Sequence, residues 1–329
     1  LTQNKNIKIL VNYCLGPLLF AWFSWAIYQQ LKSQSHLRDT LHDLQEAISG
    51  SGAWKLWAVL MLVPVNWGIE SRKWQLLLAP VESISLFNAF KAVLAGLAFS
   101  MNTPNRVGEY GGRVVFVHEG HRWKAFSLTI VGSFSQIIVT FVMGLAGLFF
   151  MLHNPLTLAG IASYQIWVEV FFYGCVVVAV GFILLYFRLG AILKWVEKIP
   201  KTQKFLQHLA VIESLPVTVL LRTLSLSVAR YIIFVFQYIL LLQLFAVELP
   251  GWHFFWLITV LYLVLAVTPT IALAELGFRG QLSLLLFTLV SNNKFGIVGA
   301  ATAIWLVNLV IPALAGSMVF VGLKIYADK

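Results

Sequence analysis

The sequence predicts an all-α polytopic membrane protein, with about six full transmembrane helices and two re-entrant helical hairpins arranged as an inverted repeat. Three observations lead there: a shortage of charge, the lengths of the apolar runs, and a short motif that occurs twice. Of the 329 residues, 60% are hydrophobic and 11% charged, against about a quarter charged in ordinary soluble domains. Water is therefore not the main solvent of this chain. A helix needs about 20 mainly apolar residues to cross a bilayer core, and several runs reach that length. Residues 1–329 read as a single membrane domain with no room for a separate soluble enzyme.

Full crossings are expected at about 9–28, 54–69, 124–152, 166–187, 216–246 and 295–325. Lys5 and Lys8 precede the first run as in a signal peptide, but the run continues to Tyr28 without a small-residue cleavage pattern, so a retained helix is expected. Cys14 and Cys175 both fall in apolar runs, where a thiol packs as a small hydrophobe and no disulfide is expected. The linkers 36–49 and 190–213 mix charged with apolar residues, which suits either an interfacial helix or a solvated loop.

Two further apolar runs, 85–101 and 252–267, end differently. The first leads into Asn102-Thr103-Pro104-Asn105-Arg106-Val107-Gly108-Glu109-Tyr110-Gly111-Gly112-Arg113. The second leads into Thr268-Pro269 and then Glu275-Leu276-Gly277-Phe278-Arg279. Each polar stretch is followed by about twelve apolar residues, roughly 18 Å of helix against a hydrocarbon core of about 30 Å. Both segments are therefore expected to fold back as hairpins, at about 85–121 and 252–291.

Lysine and arginine counts set the orientation. With the hairpins returning to their side of entry, one face collects thirteen, Arg72 and Lys73 among them, and the other collects Lys32, Arg38, Lys55 and Lys294. The first face is expected to be cytoplasmic, with both termini inside. The loop 153–165 carries neither residue type and falls outside.

Thr-Pro followed by Glu-x-Gly-x-Arg occurs in both hairpins, in matching hydropathy contexts, as an internal repeat would produce. The units are 54–152 and 216–325, each reading crossing, hairpin, crossing, with 166–187 connecting them. An odd connector inverts the second unit, so one hairpin would enter from the cytoplasm and the other from outside, as in many transporters. Hairpins that each crossed once would make the units parallel.

The motif chemistry suits an anionic headgroup. Threonine is a good N-cap and proline is favoured at the first helical position, so Thr103-Pro104 and Thr268-Pro269 are expected to open short helices whose free N–H groups attract an anion. Arg113 and Arg279 offer forked donors to a phosphate, and Arg106 adds a cation. Glu109 and Glu275 sit four residues before those arginines, close enough on a helix to hold them. The competing expectation is that each pair only neutralises itself inside the bundle, because unpaired charge in hydrocarbon is expensive. Arg222 and Arg230 lie within 216–246, and Arg230, about fourteen residues in, reaches roughly 20 Å along the helix. Snorkelling explains Arg222; Arg230 needs a partner, for which Glu169 is a candidate. Lys91, Asn66, Gln136 and Asn308 are further candidates to line the cavity, polar glue between helices being the alternative for the amides.

At Thr103–Glu109, and again from Pro269 to Gly277-Phe278-Arg279, the sequence resembles the lysylphosphatidylglycerol synthase transmembrane family, also called the flippase-like membrane family. A Thr-Pro-x-Arg-x-Gly-Glu element after a hydrophobic limb and a later Pro…Gly-x-Arg element carry the resemblance. The resemblance covers about 25 residues in motif and most of the chain in hydropathy. The second motif departs from a more glycine-rich form at Ala272 and Leu276. The resemblance implies a lipid-translocating domain, similar to the membrane half of the multiple peptide resistance factor. No soluble aminoacyltransferase accompanies it in this sequence, so lipid synthesis is not expected.

Signals for catalysis are weak. Asp occurs only at Asp39, Asp43 and Asp328, so no Asp-x-Asp pair can hold a metal-bound nucleotide sugar. His118-Glu119-Gly120-His121 lacks the spacing of a zinc-protease helix, and neither a P-loop nor a nucleophile elbow is present. The expected function is an anionic-lipid flippase or scramblase working by alternating access in a bacterial inner membrane, with no cofactor, metal or nucleic acid. A membrane enzyme or accessory subunit using a polyprenyl-phosphate or lipid donor, working beside a lipid-modifying partner, is one alternative. A small-anion channel is the other.

Overall fold

The structure is a computed structural model that describes residues 52–101, 106–196, 215–248, 250–268 and 275–321, with the isolated positions Trp25, Gly50, Thr103, Val211 and Ile212. The described residues are helical throughout, with no strand among them. In chain order they form α1 (Ala53–Leu78), α2 (Leu86–Ser100), α3 (Gly108–Val114), α4 (Arg122–His153), α5 (Pro155–Ile161), α6 (Gln165–Val196), α7 (Val217–Leu244), α8 (His253–Val267), α9 (Glu275–Phe287), α10 (Lys294–Trp305), a π turn (Leu306–Val310) and α11 (Ile311–Val321). The expected crossing at 9–28, the linker 36–49 and most of 190–213 lie outside the described residues.

Among the described residues, four helical stretches are long and apolar enough to cross a membrane: 119–153, 155–188, 217–244 and 294–319. The helix α1 has sufficient length at 26 residues, but its second half carries Glu70, Arg72 and Lys73. It does not stop at Ile69 as the hydropathy suggested. Trp74, Leu77 and Leu78 are buried, and that packing carries the helix two turns past its polar cluster. Helices α2 and α8 have 15 residues each, about 22 Å of rise and short of a full crossing. The return limb of the first hairpin is shorter than expected, since α3 has only seven residues. The long α6 leaves Trp167, Val170, Tyr173, Val177 and Leu184 exposed, an apolar face suited to lipid at the edge of the bundle.

Small residues bring the first hairpin together. A methyl group on Gly112 would lie 2.6 Å from the Gly96 Cα, and one on Gly96 would lie 2.9 Å from the Arg113 Cγ. The backbones of α2 and α3 therefore touch, as small residues allow in membrane helices. Ser85 caps α2, its hydroxyl accepting the Asn88 N–H at 3.2 Å.

Three contacts fix α1 antiparallel to α7: Gln237 donates to the Val59 carbonyl (3.0 Å), Arg230 to Asn66 (2.9 Å) and Lys73 to Ser227 (3.4 Å). The two 15-residue helices pack reciprocally, α8 on α4 and α2 on α11. Thr259 and Leu263 of α8 lie against Gly147 and Gly144 of α4, and Gly316 of α11 lies against the Leu94 carbonyl of α2.

The hairpins open toward opposite ends of the bundle. Where α4 begins, Glu82 accepts the His118 N–H at 3.1 Å and meets His121 Nδ1 at 3.0 Å, joining entry to exit of the first hairpin. Where α4 ends, Asn154 lies 3.2 Å from His253 Nε2. There Asn293 donates to the Phe245 and Ala246 carbonyls, both at 3.0 Å, closing the second hairpin.

The Gly96–Gly112 contact should be sensitive to a single methyl group. Gly112→Ala is expected to lower stability by about 1–3 kcal/mol through overpacking. Gly111→Ala, whose added carbon meets nothing within 4 Å, should raise it by up to about 1 kcal/mol through helix propensity. Thermal unfolding of the two variants in detergent gives the comparison.

Candidate functional site

The charged residues of the bundle meet in one network centred on Glu70 of α1. Glu70 is buried, and both its oxygens are engaged: Oε1 accepts from Arg113 Nη2 at 2.9 Å, and Oε2 from Arg230 Nη1 at 2.9 Å and Lys73 Nζ at 2.8 Å. Asn66, Glu70 and Lys73 recur at helical spacing, so one stripe of α1 presents all three to α7 and to the first hairpin. Lys73 completes its three donor positions on the Gly132 carbonyl (3.2 Å) and Ser227 (3.4 Å). The Arg230 guanidinium lies 4.8 Å from the Trp67 ring and 5.1 Å from the Phe234 ring, with its Nε on Asn66.

Each motif glutamate pairs with its own arginine, Glu109 with Arg113 and Glu275 with Arg279, as the four-residue spacing predicted. The second pair has an extra partner, since Arg106 at the tip of the first hairpin reaches Glu275 at 2.7 Å and joins the two tips. Arg106 adopts a left-handed backbone with φ +58, uncommon for a residue other than glycine. Thr103 fixes that turn: its carbonyl accepts the Arg106 N–H (3.2 Å), and its hydroxyl accepts the Gly108 N–H (2.8 Å) and donates to the Ser100 carbonyl (3.2 Å).

Of the two Thr-Pro pairs the structure describes the threonines. Helix α3 begins at Gly108, five residues after Thr103, and the threonine hydroxyl already takes the Gly108 N–H. Thr268 ends α8, its N–H and hydroxyl both donating to the Val264 carbonyl. Pro104 and Pro269 lie outside the described residues.

Arg230 does not meet Glu169, which is half-buried and accepts from Gln165 at 2.8 Å. Arg222 is exposed two turns before Arg230, as snorkelling predicts. Lys91 lies over the Phe87 ring at 4.3 Å and takes no part in the ion pairs of the network. Asn308, in the π turn, donates to Gln237 at 3.0 Å, and Gln136 leaves its side-chain oxygen without a partner.

Sequence reasoning missed Glu70 and Lys73 because a polar cluster at the end of an apolar run looks like an interfacial loop. The signal that α1 continues was the recurrence of Trp67, Trp74, Leu77 and Leu78 at helical spacing. An open pocket of about 550 Å³ lies elsewhere, between Leu156, Glu248, Pro250 and 288–293. It contains no member of the network.

This arrangement, an apolar helical bundle with ionised side chains gathered at its centre, defines an integral membrane protein. The chain belongs to the lysylphosphatidylglycerol synthase transmembrane family: the family model described as "Lysylphosphatidylglycerol synthase TM region" matches residues 13–316. That family is a membrane domain linked to lipid handling. Comparison with curated proteins and with solved structures finds no match.

Removing the Glu70 charge leaves Lys73 and Arg230 without an ion-pair partner, while Arg113 keeps Glu109. Glu70→Gln is expected to destabilise the protein by about 3–5 kcal/mol, the range for breaking a buried ion pair. Glu109→Gln should cost clearly less, because Glu109 is 21% exposed and Arg113 keeps Glu70. Thermal or denaturant unfolding of the two variants tests the ranking.

Proposed function

We propose that this protein moves lipids with anionic headgroups, phospholipid or lipid phosphate, between membrane leaflets by alternating access. The supporting observation is the Arg106–Glu275 pair, which joins the tips of hairpins open to opposite ends of the bundle. The units 54–152 and 216–325 form an inverted repeat, supported by the antiparallel course of α1 and α7 and by the reciprocal packing of each hairpin on the other unit's last crossing. Both hairpins are re-entrant in the membrane. A headgroup arriving at Arg106 and Arg113 competes with Glu275 and Glu109 for the guanidinium donors, and parting the tips passes it toward Arg279.

The first hairpin faces the cytoplasm of a bacterial inner membrane, and both termini are inside. With Lys73 assigned to the buried network, the lysine and arginine bias is still twelve to four. A cysteine introduced at Ser163 should react with a membrane-impermeant maleimide from outside, and one at Glu119 only after permeabilisation.

Reconstitution with labelled phosphatidylglycerol or polyprenyl phosphate tests transport. Leaflet exchange is expected to fall at least about tenfold in Arg113→Ala and Arg279→Ala, the loss of a charge-assisted hydrogen bond or more. Exchange at the parent rate in both variants would sink the proposal. Lipid masses should be unchanged after incubation, which separates transport from a membrane enzyme.

A further inference from the structure

Resting on the headgroup reading above, we infer that the site is built for a dianionic phosphomonoester headgroup in preference to a monoanionic phosphodiester. Two independent observations carry this.

The first is charge. The network contains five cations, Lys73, Arg106, Arg113, Arg230 and Arg279, against three carboxylates, Glu70, Glu109 and Glu275. Two positive charges remain in excess. The two parts of the network feel each other, since Arg230 lies within electrostatic reach of Arg106, Glu109 and Arg113. Excess charge in a bundle core calls for a counter-charge, and a phosphomonoester with both protons lost supplies two negative charges.

The second is the set of buried polar atoms left without a partner on the network residues and on the side chains that touch Arg230; Gln136 Oε1, Tyr231 Oη and Asn308 Oδ1, also unpartnered, belong to neither group. Arg113 Nε, Arg279 Nε, Trp67 Nε1 and Asn66 Nδ2 are all N–H donors. Asn66 is fixed in that sense because its oxygen accepts from Arg230. Arg113 and Arg279 occupy the same position in the two motifs, and each leaves the same atom unused. Buried donors are normally satisfied, and leaving one unpaired costs about 1–3 kcal/mol. Four donors with an excess of positive charge suit a phosphate that only accepts, and a fully deprotonated phosphomonoester accepts through three terminal oxygens where a phosphodiester has two. Arg106, 40% exposed, and Glu109, 21% exposed, mark the side from which a headgroup reaches them.

Binding to the detergent-solubilised protein tests this with dioleoyl phosphatidic acid, dioleoyl phosphatidylglycerol and inorganic phosphate as probes. At pH 8 phosphatidic acid should bind at least about tenfold more tightly than phosphatidylglycerol. At pH 5 the gap should shrink to within about threefold, because a phosphomonoester loses its second proton near pH 6. Trp67→Phe keeps an aromatic ring beneath Arg230 and deletes the unused N–H together with three ring atoms. It should weaken phosphatidic acid binding about fivefold to tenfold, and the melting temperature of the lipid-free protein reports the packing loss separately. Equal affinity for the two lipids at pH 8, or unaltered binding by Trp67→Phe, overturns the inference and leaves the headgroup reading intact. Binding of neither lipid overturns both. Inorganic phosphate binding as tightly as the lipid replaces a lipid source with a free phosphate.

Discussion

A carboxylate in the middle of an apolar bundle dictates much of what surrounds it. Glu70 is tolerated only because three cations reach it from two other segments and from its own helix. Breaking one partner of such a set leaves a charge in a medium that solvates it badly. The demand propagates outward. Helix α1 has to run past its polar cluster, α7 has to cross antiparallel so that Arg230 faces inward, and α2 has to approach α3 closely enough to deliver Arg113. The glycine contact between Gly96 and Gly112 is thus part of the electrostatics as well as the packing.

The two motifs are alike in sequence and unequal in surroundings. Arg113 is shared between Glu109 and Glu70, whereas Glu275 is shared between Arg279 and Arg106. One unit therefore has a doubly held arginine and the other a doubly held glutamate. The first hairpin closes on touching backbones, while the second places Arg279 near the Tyr262 ring at 5.8 Å.

Much of the architecture was legible in the sequence because bilayer length is a hard constraint. The boundaries of α4 and α7 follow from apolar runs flanked by charge, and the runs that become α2 and α8 stood apart because each leads into a polar motif. The Glu-x-Gly-x-Arg spacing gave both local ion pairs, since four residues is a property of one helix. Partners from distant segments were not legible: nothing in the chain near Arg230 says that its carboxylate is 160 residues away. The contact made by Thr103 was hidden for a related reason. Its hydroxyl does cap an N–H, but across a left-handed turn at Arg106 that no local propensity announces.

The last helix belongs to two neighbourhoods. Helix α10 packs against α7 and α9, and α11 packs against α2, with the π turn Leu306–Val310 between them. A π turn holds one more residue than the α-helix around it. Passing that surplus residue along the helix rotates each position it crosses by about 100°, without breaking the chain of hydrogen bonds at either end. Asn308, held to Gln237 from inside that turn, is the side chain such a slip would release first. One half of this helix can therefore change its facing while the other stays seated.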